Sequence, residues 1–395
     1  MGGALPTAVF EPARLGPLTL RNRIIKAATF EGVMPRGAVS DDLVRFHERV
    51  AAGGAAMTTV AYCAVSPGGR VHRDTLVMSR EALPGLVRLV DAVHEHGAAA
   101  AAQLGHAGLV ANTRSNRQAT LAPSTRLSAP AMGLVRGATQ GQLDEVVADF
   151  VRATELAAEA GFDCVEIHLG HNYLLSSFFS PNLNKRRDEY GGSIENRARF
   201  PRRVVEAVRR AAPARMAVIA KFNMADGVPR GLWLDESLPI ARLLEADGHL
   251  DALELTGGSS LLNGMYYFRG DVPMREFIAT QPKLVGIGLR VAGRRIFPHI
   301  PFEEAFFLPF AREFRSALGM PLILLGGVNE LDTITGALDD GFEFVAMARA
   351  LLREPDLPNR MQHHQTRSGL CIHCNKCLPT IYSGTQCVLN SPGRA

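Results

Sequence analysis

The sequence predicts an α/β fold of the (β/α)₈ TIM-barrel class, with long βα loops and a short Cys-rich C-terminal extension. Three observations predict it. Eight short apolar or β-branched runs alternate with eight longer stretches of helical period. The runs are close to continuously apolar, as parallel strands covered on both faces are. The chain has 395 residues, 47% of them apolar, enough for one barrel of ~250 residues with insertions.

The strand candidates are RIIKAAT (23–29), AAMTTVAY (55–62), AAAAQLG (99–105), CVEIHLG (164–170), AVIAKFN (217–223), ALELTGG (252–258), PLILLGG (321–327) and FEFVAMAR (342–349). Helical period places helices over 41–52, 83–97, 143–160, 195–211, 235–247, 302–318, 331–339 and 350–362. Eight consecutive units favour closure into a barrel over an open sheet. Long inserts follow strand 3 (106–142), strand 4 (169–194) and strand 6 (258–301), on the face where such barrels carry their chemistry. The pattern stops after residue 363, so the chain divides into a barrel (1–363) and an irregular tail (364–395) rich in Cys, Gly, Ser and Pro.

Composition narrows the partners. The net charge is +4 and the basic residues are spread along the chain. That argues against a nucleic-acid surface, and the NKRR run at 184–187 reads as a solvated loop. No basic-then-apolar leader opens the chain, and no uninterrupted apolar stretch reaches the ~18 residues of a membrane span. The expectation is a cytoplasmic protein; a homo-oligomer stays open. Of six cysteines, Cys371, Cys374, Cys377 and Cys387 crowd the tail. Their C-x₂-C-x₂-C-x₉-C spacing favours metal ligation over disulfides, with a [4Fe–4S] cluster and a zinc ion both open.

Strand 4 ends in VEIHLGHNYLL. His168 and His171 stand at the strand end and in the loop beyond it, where two imidazoles can converge on one oxygen. Tyr173 follows, and a phenol of pKa ~10 stays protonated at neutral pH and can give up a proton. Strands 7 and 8 end in Gly326-Gly327 and Met-Ala-Arg349. Loops after these strands often hold a phosphate: glycines let backbone N–H groups approach, and the guanidinium matches phosphate oxygens. The insert after strand 6 carries Tyr266, Tyr267 and Arg269, which could stack on a flat substrate and meet an anionic group. Neither a G-x-G-x-x-G after the first strand nor a P-loop occurs, so a nicotinamide cofactor would bind in the barrel mouth.

The segments LGPLTLRNRIIKAATFEG, AAQLGHAG, VEIHLGHNYLLSSFFSP, DEYGGSIENRARF, LLGGV and ARALLREPDLPNRM resemble the Old Yellow Enzyme family over residues 9–363. The tail is similar to the iron–sulfur segment of 2,4-dienoyl-CoA reductases and trimethylamine dehydrogenases. The resemblance implies FMN as cofactor and NAD(P)H as reductant. It makes His168 and His171 the carbonyl-binding pair and Tyr173 the proton donor. Gln103 would meet the flavin pyrimidine edge, Lys221 would face flavin N1 and O2, and Ala28, Thr29 and Tyr62 would touch the ring. Gly326, Gly327, Ala348 and Arg349 would cradle the phosphate. The chain departs from the pattern at Ala28 (commonly Pro), Leu109 (Arg), Asn172 (Gly), Lys221 (often Arg) and Ala348 (Gly). The implied activity is ene-reduction: hydride from flavin N5 reaches the β-carbon of an enone or enal, and Tyr173 protonates the α-carbon. Two alternatives are an FMN dehydrogenase of an amine or saturated ketone passing electrons to the tail metal, and a non-catalytic flavin or metal redox sensor.

Overall fold

The structure is a computed structural model that describes residues 7–280, 283–381 and 383–390. Eight parallel strands close into a barrel in chain order: β1 (Ile24–Lys26), β2 (Met57–Ala64), β3 (Ala99–Gly105), β4 (Cys164–Leu169), β5 (Ala217–Asn223), β6 (Ala252–Thr256), β7 (Leu322–Leu325) and β8 (Phe344–Met347). β8 pairs with β1 and completes the ring. Each strand is followed by a helix: α1 (Asp41–Ala52), α2 (Leu83–His94), α3 (Gln140–Glu159), α4 (Ile194–Ala211), α5 (Leu234–Asp247), α6 (Leu308–Ala317), α7 (Leu331–Asp339), then α8 (Arg349–Arg353) and α9 (Leu357–Gln362). This is the TIM-barrel fold that the alternation predicts.

Local chemistry explains the helix ends. The Ser40 hydroxyl accepts from the Leu43 N–H at 3.2 Å and caps α1, with Asp41 and Asp42 in its first turn. Thr139 and Gln142 form a reciprocal capping box, so α3 starts three residues before its predicted first residue. Gly248 closes α5 in the left-handed region at φ 69°. Two predicted helices come out differently. The stretch 302–318 is helical only from Leu308, and 350–362 is two helices. Pro355 pushes Glu354 out of the helical region, to φ −135° and ψ 87°, and α9 restarts with Pro358 in its first turn.

The barrel interior alternates with the outer layer along most of each strand, with a register shift in β2 between Val60 and Cys63. Ile25, Met57, Ala101, Cys164, Ile219, Ile323 and Phe344 fill the inside, and Leu15 and Leu20 of an N-terminal hairpin plug its lower end. Leucine, valine and phenylalanine fill the space between strands and helices. The inserts carry short helices, Leu174–Phe179 after β4 and Met265–Phe268, Met274–Ala279 and Lys283–Ile296 after β6, and a hairpin of Arg126–Ser128 with Gly133–Val135 after β3. No helix among the described residues is long and apolar enough to cross a membrane.

Candidate active site

A cavity of about 440 Å³ opens at the C-terminal mouth of the barrel. The period of two along each strand decides what faces it. On β4 the inward residues climb from Cys164 through Glu166 to His168, from apolar to acidic to imidazole. Strand register then sets the neighbours: Gln103 of β3 lies beside Glu166, and Lys221 of β5 lies between His168 of β4 and Glu254 of β6.

His168, His171 and Tyr173 meet at one wall of the cavity. The His168 ring lies 5.2 Å from that of His171 and 4.3 Å from that of Tyr173, centroid to centroid. Tyr62 packs edge-on to Tyr173, and its hydroxyl donates to the Gly69 carbonyl at 2.9 Å. His168 Nδ1 accepts from the Gly170 N–H at 3.3 Å, which leaves its proton on Nε2. His171 Nε2 lies 3.0 Å from the Thr256 hydroxyl. Burial first, then repulsion from neighbouring groups including Lys221, pushes both imidazoles down, His171 to about 3. They are neutral hydrogen-bonding groups at physiological pH.

His171 and Asn172 both hold left-handed backbone, at φ 58°. Asp226 braces this turn. Its carboxylate accepts from Asn172 Nδ2 and Asn223 Nδ2 at 2.9 Å each and from the Ser180 hydroxyl at 2.6 Å, while Asn223 Oδ1 accepts from the His171 N–H at 3.3 Å. Asn172, where the family pattern has Gly, thus supplies a bond that Gly could not.

Next to the imidazoles sits a buried charged trio. The Lys221 ammonium pairs with Glu254 and lies 3.4 Å from Glu166, whose other oxygen accepts from Gln103 Nε2 at 2.5 Å. Burial opposes the Lys221 charge, but Glu166 and Glu254 together outweigh it and hold the ammonium above the ordinary lysine range. A second buried pair lies beside it. Lys26 donates to Thr29 Oγ1 at 2.9 Å, and Thr29 donates onward to Glu31 at 3.2 Å.

At the opposite end the cavity is lined by Gly326, Gly327, Ala348 and Arg349. Both glycines have positive φ, 121° and 82°, and a Cβ on them would meet Phe307 and Phe306 at 2.5 and 2.6 Å. Packing thus demands glycine there as strongly as any anion would. Arg349 lines the cavity with them and also donates to Asn375 Oδ1 and to the Arg269 carbonyl. Ala28, Thr29, Tyr62, Gln103 and Lys221 also line the cavity.

The tail folds back over the mouth. Asn375 Nδ2 donates to the carbonyls of Arg269 at 2.7 Å and Asp271 at 2.9 Å, and the Thr385 N–H donates to the Glu31 carbonyl at 2.7 Å. Cys371, Cys374, Cys377 and Cys387 line one small cavity with Arg349 and Arg353, and Cys377 lines the large one too. All four are free thiols, and Arg353 Nη1 reaches Cys387 Sγ at 3.8 Å. Among the described residues no three His, Cys, Asp or Glu side chains are grouped to hold a single metal ion.

The strand-6 insert splits. Tyr267 lines the cavity with its ring 4.6 Å from that of His171. Tyr266 packs between Trp233 and Phe307, and the Arg269 guanidinium lies over Phe306 at 4.8 Å, so neither lines the cavity. Sequence reasoning missed Glu166, Glu254, Asp226 and Thr256. The one available signal was acidic residues inside otherwise apolar strands, VEIH and LELT.

Residues 8–250 match the model of the NADH:flavin oxidoreductase / NADH oxidase family. The chain belongs to this family. The 4,4'-dithiodibutanoate disulfide reductase of Rhodococcus erythropolis is 74% identical over 382 residues, covering 97% of this chain and 95% of that one. A metal reductase of Desulforamulus reducens is 32% identical over 388 residues, covering 97% of this chain and 53% of that one. Among solved structures, 2-naphthoyl-CoA reductase superposes with a TM-score of 0.83 at 20% identity, over 97% of this chain and 57% of that one. Morphinone reductase does so with 0.70 at 26% identity, over 93% and 92%. This family member is therefore an oxidoreductase of the flavin-dependent, NAD(P)H-linked kind, and the Old Yellow Enzyme motifs read correctly.

Proposed function

We propose that the chain is an FMN-dependent reductase that uses NAD(P)H to cleave a small organic disulfide carrying carboxylates. One observation carries this: 74% identity, over nearly the whole of both chains, to a protein named as the reductase of 4,4'-dithiodibutanoate. The reaction balances as NAD(P)H, one proton and one disulfide giving NAD(P)⁺ and two thiols.

The residues suit FMN. The cavity runs from the Ala28, Thr29, Tyr62, Gln103 and Lys221 wall, which would hold the ring, to Gly326, Gly327, Ala348 and Arg349, which would hold the phosphate. When bound, FMN supplies two-electron chemistry by accepting hydride and passing it on. His168 and His171 donate hydrogen bonds to the acceptor where negative charge develops, a contribution of ~3 kcal/mol per donor when aimed at the transition state. Their neutrality keeps each ring a single fixed donor across the physiological range. Tyr173 supplies a proton to the departing sulfur or to carbon. Tyr267 closes the site from above His171.

A second reading is reduction of a C=C bond conjugated to a carbonyl. The observation that favours it is the Tyr173 ring 4.3 Å from His168, a phenol beside the groups that would bind a carbonyl oxygen. Protonation of carbon needs such an acid far more than release of a stable thiolate does. The non-catalytic sensor is set aside, because the relatives are named as reductases and dehydrogenases.

Cys371, Cys374, Cys377 and Cys387 line one small cavity, and four thiolates there would suit an iron–sulfur cluster or a zinc ion. The deciding experiment mixes anaerobically reduced enzyme with 4,4'-dithiodibutanoate or with cyclohexenone. Two thiols released per NAD(P)H consumed are expected with the disulfide. Enone turnover without thiol release would move the assignment to ene-reduction.

A further inference from the structure

The Glu166–Lys221–Glu254 trio has no part in the hydrogen bonding of an acceptor. It is costly to bury: Lys221 stands in register with His168, Glu254 in register with Lys221 and Glu166 one inward position before His168, each at most 2% exposed. A lysine needing only neutralisation would be satisfied by one carboxylate. Here Lys221 has two, and the second is also tied to Gln103. Lys221 and Gln103 are the two members that line the cavity, while Glu166 and Glu254 stand behind them.

Both carboxylates lean on the one ammonium: Lys221 Nζ contacts Glu254 Oε1 and lies 3.4 Å from Glu166 Oε1. The buried Glu166 Oε1 and Glu254 Oε2 accept no hydrogen bond from the described residues. Two ionised carboxylates cannot share a dry site cheaply, and one proton between them removes the repulsion. The groups around this pair are Lys26 from β1, Gln103 from β3, Cys164 from β4 itself and Lys221 from β5, with His168 beside Lys221; Lys26 in turn interacts with Glu31. With that proton in place the trio is neutral. Without it the trio carries one net negative charge beside the cofactor ring.

We propose that Glu166 and Glu254 form a proton-sharing carboxyl pair behind Lys221 and Gln103, and that the charge of this pair sets the reduction potential of the bound flavin. They act as positioning residues, through Lys221 and Gln103, and not by touching substrate. The hydride comes from NAD(P)H. The pair takes up one further proton from solvent when negative charge appears on the cofactor. Burial, eased by Lys221 and reinforced by Glu254, pushes the Glu166 carboxyl up to about 8, so the uptake is felt above that pH.

The inference rests on FMN as the occupant of the cavity, so the flavin released from the purified holoenzyme is identified first. The midpoint potential is then followed with pH by dye-coupled titration of wild type, Glu166→Gln and Glu254→Gln. In wild type the plot should steepen above about pH 8 by ~30 mV per pH unit, the two-electron equivalent of a tenfold change for one extra proton. Either substitution should abolish the steep segment and raise the potential in that range at least several-fold in the reduction equilibrium. Titration of Lys26 would also bend the plot, but that bend would survive both substitutions. Should Glu166→Gln not fold, Glu254→Gln carries the same comparison. A plot without the steep segment in wild type, or one unchanged by the substitutions, overturns the carboxyl pair. Absence of FMN overturns the cofactor reading as well.

Discussion

Tyr173 separates the two acceptor chemistries. Its phenol stands beside His168, and Tyr62 packs against its other side with a hydroxyl already committed to Gly69. Tyr173→Phe keeps the ring and removes the hydroxyl. Reoxidation of the reduced enzyme by an enone should slow by ~10²–10⁴-fold, the usual range for general acid catalysis. Reoxidation by a disulfide should slow less than tenfold, because a thiolate leaves without carbon protonation. Rapid-mixing measurement of both half-reactions checks this, and equal slowing with NAD(P)H would make Tyr173 structural. His168, His171 and Tyr173 were legible because they are consecutive at one strand end, so that a single element delivers all of them. Glu166 and Glu254 were not legible as a pair. They lie on strands two apart, and only register brings each beside Lys221 or Gln103. Asp226 was hidden for the same reason: its partners come from three separate loops and strands.

The elements were legible where hydrophobic period is strong and blurred where proline or long-range contact decides. The strands of the barrel were found within a few residues, whereas Pro355 divides what period alone joins into α8 and α9. The tail looked like an appendage, because nothing local says that Asn375 will bridge to Arg269 and Asp271 or that Cys377 will wall the cavity. Arg269 illustrates the cost of reading a loop by composition. Its guanidinium lies over Phe306 and Tyr266, behind the cavity wall, and its carbonyl anchors Arg349 and Asn375. Arg269→Ala should therefore raise KM for anionic and neutral acceptors by similar factors, through loss of a cation–π contact worth ~0.5–2 kcal/mol. A rise confined to anionic acceptors would restore it to the substrate site. Arg349 ties the barrel to the tail, so Arg349→Ala should act on both. FMN retention should weaken by ~1.5–3 kcal/mol, the range for hydrogen bonds to charged groups, and any iron or zinc content measured in anaerobically purified protein should fall in parallel. Loss of flavin with full retention of metal would confine Arg349 to the phosphate end.

At the scale of the molecule, the barrel buries titratable groups of both kinds, and their balance predicts how stability responds to pH. Four buried histidines are pushed below the ordinary imidazole range by desolvation: His47 to about 3, His106 to about 4, His171 to about 3, and His168 well below its ordinary value. In the unfolded chain they titrate near ~6.5. Below that pH the unfolded state binds protons that the folded state refuses, so their contribution is intact above pH 6.5 and is lost as pH falls towards the folded values. Glu31 and Glu166 work in the opposite sense. Burial pushes both up to about 8, so their contribution is complete below the ordinary carboxyl range and is lost as pH rises towards 8. Burial raises the Asp226 carboxyl as well, yet between pH 6.5 and 4.5 the four histidines still outnumber these three buried carboxyls, and the net effect is that acid destabilises. The slope is ~1.4 kcal/mol per pH unit for each unbalanced proton. Thermal melts of the holoenzyme should accordingly show Tm falling from pH 6.5 to 5, and His47→Gln, remote from the cavity lining but bonded to Thr58, should flatten that fall. Activity of the surviving folded enzyme should not show an imidazole limb over the same interval, since His168 and His171 stay neutral throughout it. A Tm that is level or rising on acidification would mean that the buried histidines are already protonated in the fold, and that His168 and His171 meet their acceptor as cations.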